Sequence, residues 1–175
     1  ALGTASSSNL GGTLKFASQT AGSPGTVSIM NKGVTGATTI VIGSNTSTNT
    51  GVAPLGTLDL RGHVANVVAG AITMGVANTG TNNGYAEGKL LFDAGTFFAS
   101  SLSVGAKSGV STGSPLNNEL SIGGGIFVVS GAVTAAAHSG TGATGNIAST
   151  INISGGSTSF GTLVLANKSG TTNTG

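Results

Sequence analysis

Short apolar-x-apolar pairs recur along the chain at near-constant intervals. One set is Ile40-x-Ile42, Ile72-x-Met74, Leu102-x-Val104, Val133-x-Ala135 and Leu163-x-Leu165, with starts 32, 30, 31 and 30 residues apart. A second set is Val27-x-Ile29, Leu58-x-Leu60, Leu90-x-Phe92, Leu120-x-Ile122 and Ile151-x-Ile153, with starts 31, 32, 30 and 31 apart. From each first-set pair to the next second-set pair the distance is 18 residues in four copies (40 to 58, 72 to 90, 102 to 120, 133 to 151). Leu14-x-Phe16 reads as an early first-set pair with a shortened connection to Val27. Alternation of this kind marks strands, and a fixed period of this length marks a stacked repeat.

A third apolar patch per unit holds Val67, then Phe97 and Ala99, Phe127 and Val129, and Phe160. Three strands per unit predict an all-β fold: a three-sided parallel β-helix, or β-solenoid, of five to six rungs of 30–32 residues over a single domain, 1–175. Each unit buries too little to stand alone, so stacked units share one core. Columns in the alignment agree. Gly43, Gly75, Gly105, Ala136 and Ala166 form a small-residue column where the backbone must bend or approach a neighbour. The glycine runs at 123–125 and 155–156 read as tight corners. No Lys-Ser/Thr follows them, as a phosphate loop would need.

Composition supports order over disorder. Charged residues are 6% and mean hydropathy is +0.32, whereas disordered chains combine low hydrophobicity with high net charge. Six basic residues against four acidic ones are too sparse for a nucleic-acid surface. No apolar run is long enough for a transmembrane helix, so no membrane insertion by this segment is expected. The chain opens on Ala and shows no secretion signal, which reads as a processed or excerpted piece, a segment or subunit of a longer array. Absence of Cys fits an exported bacterial protein without disulfides.

Candidate chemistry is thin. The acids are Asp59, Glu87, Asp93 and Glu119. Asp59, Asp93 and Glu119 fall on successive rungs, so a lateral acid cluster is one reading. Inter-rung ion pairs, Arg61 with Asp93 and Lys89 with Glu119, are the stronger reading. Lys107, His138 and Lys168 share one column and read as an exposed contact ridge. His63 and His138 lie in different columns, so no metal set and no cofactor is expected. Asn45, Asn152 and Asn167 open N-x-S/T triplets. The polar connections, rich in Thr, Ser, Asn and Gly, are expected to carry any binding.

The stretch "STINISGGSTSFGTLVLANKSGTTNTG", with the related "NELSIGGGIFVVSGAVTAAAHSG", resembles the autotransporter-associated β-strand repeats of exported bacterial proteins. The likeness covers about residues 27–175 and rests on apolar-x-apolar, Gly-Gly, apolar strand, apolar-x-apolar, polar loop. It implies a surface-displayed or secreted solenoid used in adhesion or extracellular structure, and it carries over no catalytic residue. The expected function is therefore non-enzymatic. The chain is a structural or adhesive solenoid of the extracellular space or bacterial surface, with end-to-end self-association into a filament and surface glycans as further partners. The alternative is a carbohydrate-active or carbohydrate-binding β-helix, lyase- or tailspike-like, which would need Asp59, Asp93 and Glu119 to converge. The closing "LVLANKSGTTNTG" reads as an interrupted repeat, and the opening "ALGT" as kin to "PLGT" at 54–57.

Overall fold

The computed structural model describes residues 2–5, 11–16, 24–31, 37–46, 53–78, 85–108, 116–139 and 147–169. The polar connections at 47–52, 79–84, 109–115 and 140–146 and the closing residues 170–175 lie outside the described residues. The elements are strands β1 (Leu2–Ala5), β2 (Gly11–Lys15), β3 (Thr26–Ile29), β4 (Thr38–Asn45), β5 (Leu55–Asp59) and β6 (Val64–Asn78). They continue as β7 (Glu87–Phe92), β8 (Gly95–Ser108), β9 (Leu116–Ile122), β10 (Ile126–His138), β11 (Ile147–Ile153) and β12 (Ser157–Leu165).

Two parallel sheets wrap one core. The first runs β11-β9-β7-β5-β2. The second runs β1-β4-β6-β8-β10-β12, with β3 also paired to β6. Strands that are neighbours in a sheet are one turn apart in sequence, which is the connectivity of a coil. Strands β6, β8 and β10 are 15, 14 and 13 residues long. They bend midway, where the register slips between Val129 and Ala132. Gly131 sits at this bend because a Cβ there would stand 2.5 Å from the Ser100 carbonyl oxygen. The bend divides the long sheet into two flanks, and with the first sheet they make three sides.

The core follows the alternating pattern. Leu58, Leu90, Leu120 and Ile151 stack in register on one side, and Ile40, Ile72, Leu102, Val133 and Leu163 on another. On the third side Val67, Phe97 and Phe127 share a column, while Phe160 falls beside Val129. Leu90, Phe92, Phe97, Leu120, Phe127 and Val133 are wholly inaccessible. Burial of such side chains contributes about 1.5–3 kcal/mol each. On the outer face of the flank from Ile40 to Leu163, the alternate residues Val41, Thr73, Ser103, Thr134 and Val164 are also in register.

Four expectations need correction. Leu14 pairs with Leu58, so Leu14-x-Phe16 belongs to the second set. Val27 and Ile29 pair with Ala65 and Val67, so they belong to the third patch. The reason is the first turn's length: Leu14 to Leu58 spans 44 residues (58 minus 14), against 30–32 elsewhere, so a constant period lands one flank away. The regular coil is also shorter than five to six rungs. From β5 to β11 the chain makes three circuits, and the N-terminal turn is divided among short strands. Finally, Leu2 pairs with Ile42, which puts Leu2–Ala5 in the bent sheet and not beside Leu55–Thr57.

The small-residue column has a shared backbone cause. Gly43, Gly75 and Gly105 take φ of +66, +57 and +75, and Ala136 and Ala166 take +55 and +54. All five turn the chain off the same flank in the left-handed region, which costs a residue with a Cβ about 1–2 kcal/mol. Part of that strain is offset by the extra unfolded-chain entropy of Gly. Ala136→Gly is therefore expected to raise stability by about 0.5–1 kcal/mol, read as a higher urea midpoint with an unchanged slope.

Candidate functional site

The corner after β5 brings together Asp59, Arg61 and, from the next turn, Asp93. Arg61 Nε and one terminal nitrogen donate to the two Asp59 carboxylate oxygens, each at 2.9 Å. The arrangement is the bidentate fork that guanidinium geometry favours. Asp59 is nearly buried, its side chain 7% exposed, while Arg61 lies over it and remains open to solvent. Arg61 thus pairs within its own turn and not with Asp93, as the sequence alignment had it. Asp93 instead accepts the Gly62 backbone N–H from the neighbouring turn, at 3.0 and 3.1 Å. Arg61 folds back because the turn after β5 brings it over Asp59, whose carboxylate also accepts the Arg61 backbone N–H at 3.2 Å. That leaves Asp93 to satisfy the turn amide.

The Arg61 hydrogen bond holds the Asp59 carboxyl below the usual carboxylate range, against the opposing effect of burial. A folded pKa that is depressed gives stabilisation present in full above the unfolded value of about 3.9 and lost as pH falls through the folded value. Asp59→Asn is expected to lower stability by about 1 kcal/mol at pH 7, a modest figure because Arg61 is solvent-screened. In thermal melts the variant and parent should converge as pH drops below about 4.

Lys89 and Glu119 face each other across β7 and β9, with Nζ to Oε2 at 3.7 Å on an exposed surface. The three acids on successive rungs therefore have three different partners: Arg61, the Gly62 amide and Lys89. A groove of about 150 Å³ on this outer face is lined by Lys89, Asn117, Asn118, Glu119, Ala148 and Thr150. Among the described residues no three His, Asp or Glu side chains gather as a metal-ligand set.

The column Lys107, His138 and Lys168 is in register, with His138 bridged to both lysines. It is not an exposed ridge. Lys107 is 2% and His138 8% accessible, and Lys168 alone is exposed. The left-handed residue two positions earlier explains this. It resets the in-out alternation, so Asn45, Ala77, Lys107 and His138 turn inward together. Burial pushes the Lys107 amine below its usual range. Of the N-x-S/T asparagines, Asn45 is buried and gives its side-chain N–H to the Tyr85 carbonyl, whereas Asn152 and Asn167 are exposed.

Sequence reasoning missed Asn118. It is buried and clips three turns together. Its Oδ1 accepts from Gly88 N–H at 2.9 Å, and its amide donates to the Ala148 carbonyl at 3.4 Å. The signal was present as a polar residue following Gly56 and Gly88 in one inward column.

The two ends of the coil differ from its middle. On the last turn the core-facing Ile153, Leu163 and Leu165 are 47%, 48% and 61% exposed. At the opposite end a largely apolar hollow of about 220 Å³ opens between Leu14, Ile29, Ile40 and Leu58. These residues come from all three core columns. Comparison with family models, curated proteins and solved structures finds no match to this chain.

Proposed function

We propose that the chain is a non-enzymatic structural or adhesive β-solenoid of the bacterial surface or extracellular space, extended by end-to-end stacking of rungs. The observation that carries this reading is the open turn of β11 and β12. Its inward side chains reach solvent, and both strands end their sheets. A strand edge with unsatisfied backbone groups is a template for pairing. The hollow between Leu14, Ile29 and Ile40 offers the same three columns at the other end. Stacking one end on the other is a heterologous contact, which propagates as a filament unless it closes. Exported, surface-displayed use is supported by the resemblance to autotransporter-associated repeats and by the scarcity of charge. The alternative carbohydrate-active reading is weakened because Asp59, Asp93 and Glu119 are engaged by different groups.

The test is electron microscopy and light scattering of the chain beside a Leu163→Lys/Leu165→Lys variant. Both side chains lie on the terminal turn at 48% and 61% exposure, so the interior turns keep their packing. The parent is expected to form fibres one solenoid wide and the variant to remain monomeric while still melting cooperatively. A parent that remains monomeric at high concentration, or a variant that assembles equally well, overturns the proposal.

A further inference from the structure

The two ends of the coil do not match while β1 is in place. Each turn visits the first sheet, then the flank of Phe97, then the flank of Ile40, as β9 is followed by the two halves of β10. The last turn completes this order with β11 and the two halves of β12. At the opposite end β2, β3 and β4 make one turn in the same order. β1 adds a further strand on the flank of Ile40 alone. A second copy that sets β11 on β2, and β12 on β3 and β4, continues the coil. One that sets β12 on β1 leaves the other two flanks a strand short.

β1 is also a partial cover. Its register pairs are Leu2 with Ile42, Thr4 with Ser44 and Ala5 with Asn45. β4 begins at Thr38, and among the described residues no strand lies against residues 38–41 on that side. The apolar hollow of about 220 Å³ runs along this bare stretch, lined by all four of its residues with Leu14, Ile29 and Leu58. An open strand edge beside an apolar slot is a site for strand addition.

The strand that fits is the second half of β12. Leu163 stands in the column of Ile40, and Leu165 in that of Ile42. Set one strand beyond β4, Leu163 enters the hollow and Leu165 takes the place opposite Ile42. Leu2 holds that place in the free chain, so the two strands exclude each other. β1 is the weaker occupant: it has four residues, and one is Gly3, which has no side chain to pack.

We propose that β1 is a displaceable plug, and that β12 of a second copy replaces it on β4 by parallel strand exchange. The inference rests on the end-to-end stacking reading and adds its control step. Seated, β1 holds the chain back from assembly. Released, it uncovers the full edge of β4 and lets the three flanks meet in register.

The test compares the parent with three variants, and thermal melts confirm that each is folded. The chain has no cysteine, so introduced pairs are unique. Thr4→Cys/Ser44→Cys ties β1 to β4 through an existing register pair. Val41→Cys/Val164→Cys places two cysteines in one column on β4 and β12. Within a chain these lie four strand spacings apart, about 19 Å, beyond the reach of a disulfide. The third variant lacks residues 1–5. Its fibres are expected at about tenfold lower concentration or less, because an open state otherwise populated at about 0.1–10% becomes the only one. The oxidised tether is expected to remain monomeric and to form fibres once reduced. Fibres of Val41→Cys/Val164→Cys are expected to oxidise into a ladder of covalently linked copies. Fibres from the oxidised tether, fibres without the ladder, or a deletion that assembles no more readily than the parent would overturn the exchange and leave end-to-end stacking standing. Parent and deletion variant that both remain monomeric at every concentration would overturn the stacking itself, and the exchange with it.

Discussion

Gly43→Ala is expected to destabilise the chain by about 3 kcal/mol or more, combining left-handed strain with overpacking. A Cβ at Gly43 would stand 1.9 Å from the Glu87 carbonyl oxygen and 3.3 Å from the Gly56 nitrogen. Both are backbone atoms of the facing sheet, so no side-chain rotation relieves the contact. The sheets must part at the corner where they approach most closely. Gly62→Ala is the internal comparison: its φ is +75, but nothing lies within 4 Å of the added carbon. That variant should lose only the strain, about 1 kcal/mol. Urea midpoints of the two variants measured side by side separate crowding from backbone conformation. Equal losses at the two positions would show that the facing sheets are not in contact at Gly43.

Phe127→Ala is expected to cost about 3–5 kcal/mol. Its ring stacks on Phe97 with centroids 4.6 Å apart and 23° between planes, and Phe92 and Phe160 pack around it at 5.9 and 6.5 Å. Truncation leaves a void bounded by three other rings on the two adjacent turns, and rigid strands above and below cannot collapse into it. Phe98→Ala, one rung away on the outer face and 44% exposed, should change stability by less than about 1 kcal/mol. Calorimetric melts of the pair test whether core and outer positions alternate as the pattern requires. A small loss at Phe127 would mean that the aromatic column is loosely packed.

The repeat was legible because identical turns force identical spacing. The first- and second-set columns from Ile40 onward, the third patch at Phe97 and Phe127, and the bend column at Gly43 and Gly75 could all be read from the letters. The N-terminal turn could not. Its length departs from the period, and short pairs such as Leu14-x-Phe16 and Val27-x-Ile29 look alike on any flank. The site residues were less legible for a different reason. Alternation assigns a side only within an unbroken strand, and the left-handed residue ahead of Lys107 and His138 inverts it. Polar side chains that composition places in water are therefore carried inside. Arg61 illustrates a second limit. Column alignment reports which residues are neighbours across turns, but it does not decide whether a flexible side chain reaches across or folds back onto Asp59.

The register columns also make length an adjustable property. Excision of residues 90–119 would join Lys89 to Leu120, a residue of the same column as the Leu90 it replaces. The cross-section would be preserved and the rod shortened by one turn. Insertion works in the opposite sense. A gene that gains or loses such a unit by unequal recombination changes the reach of its product in steps of one strand spacing, with no new fold to discover. The coil is in this respect a ruler whose graduations are heritable.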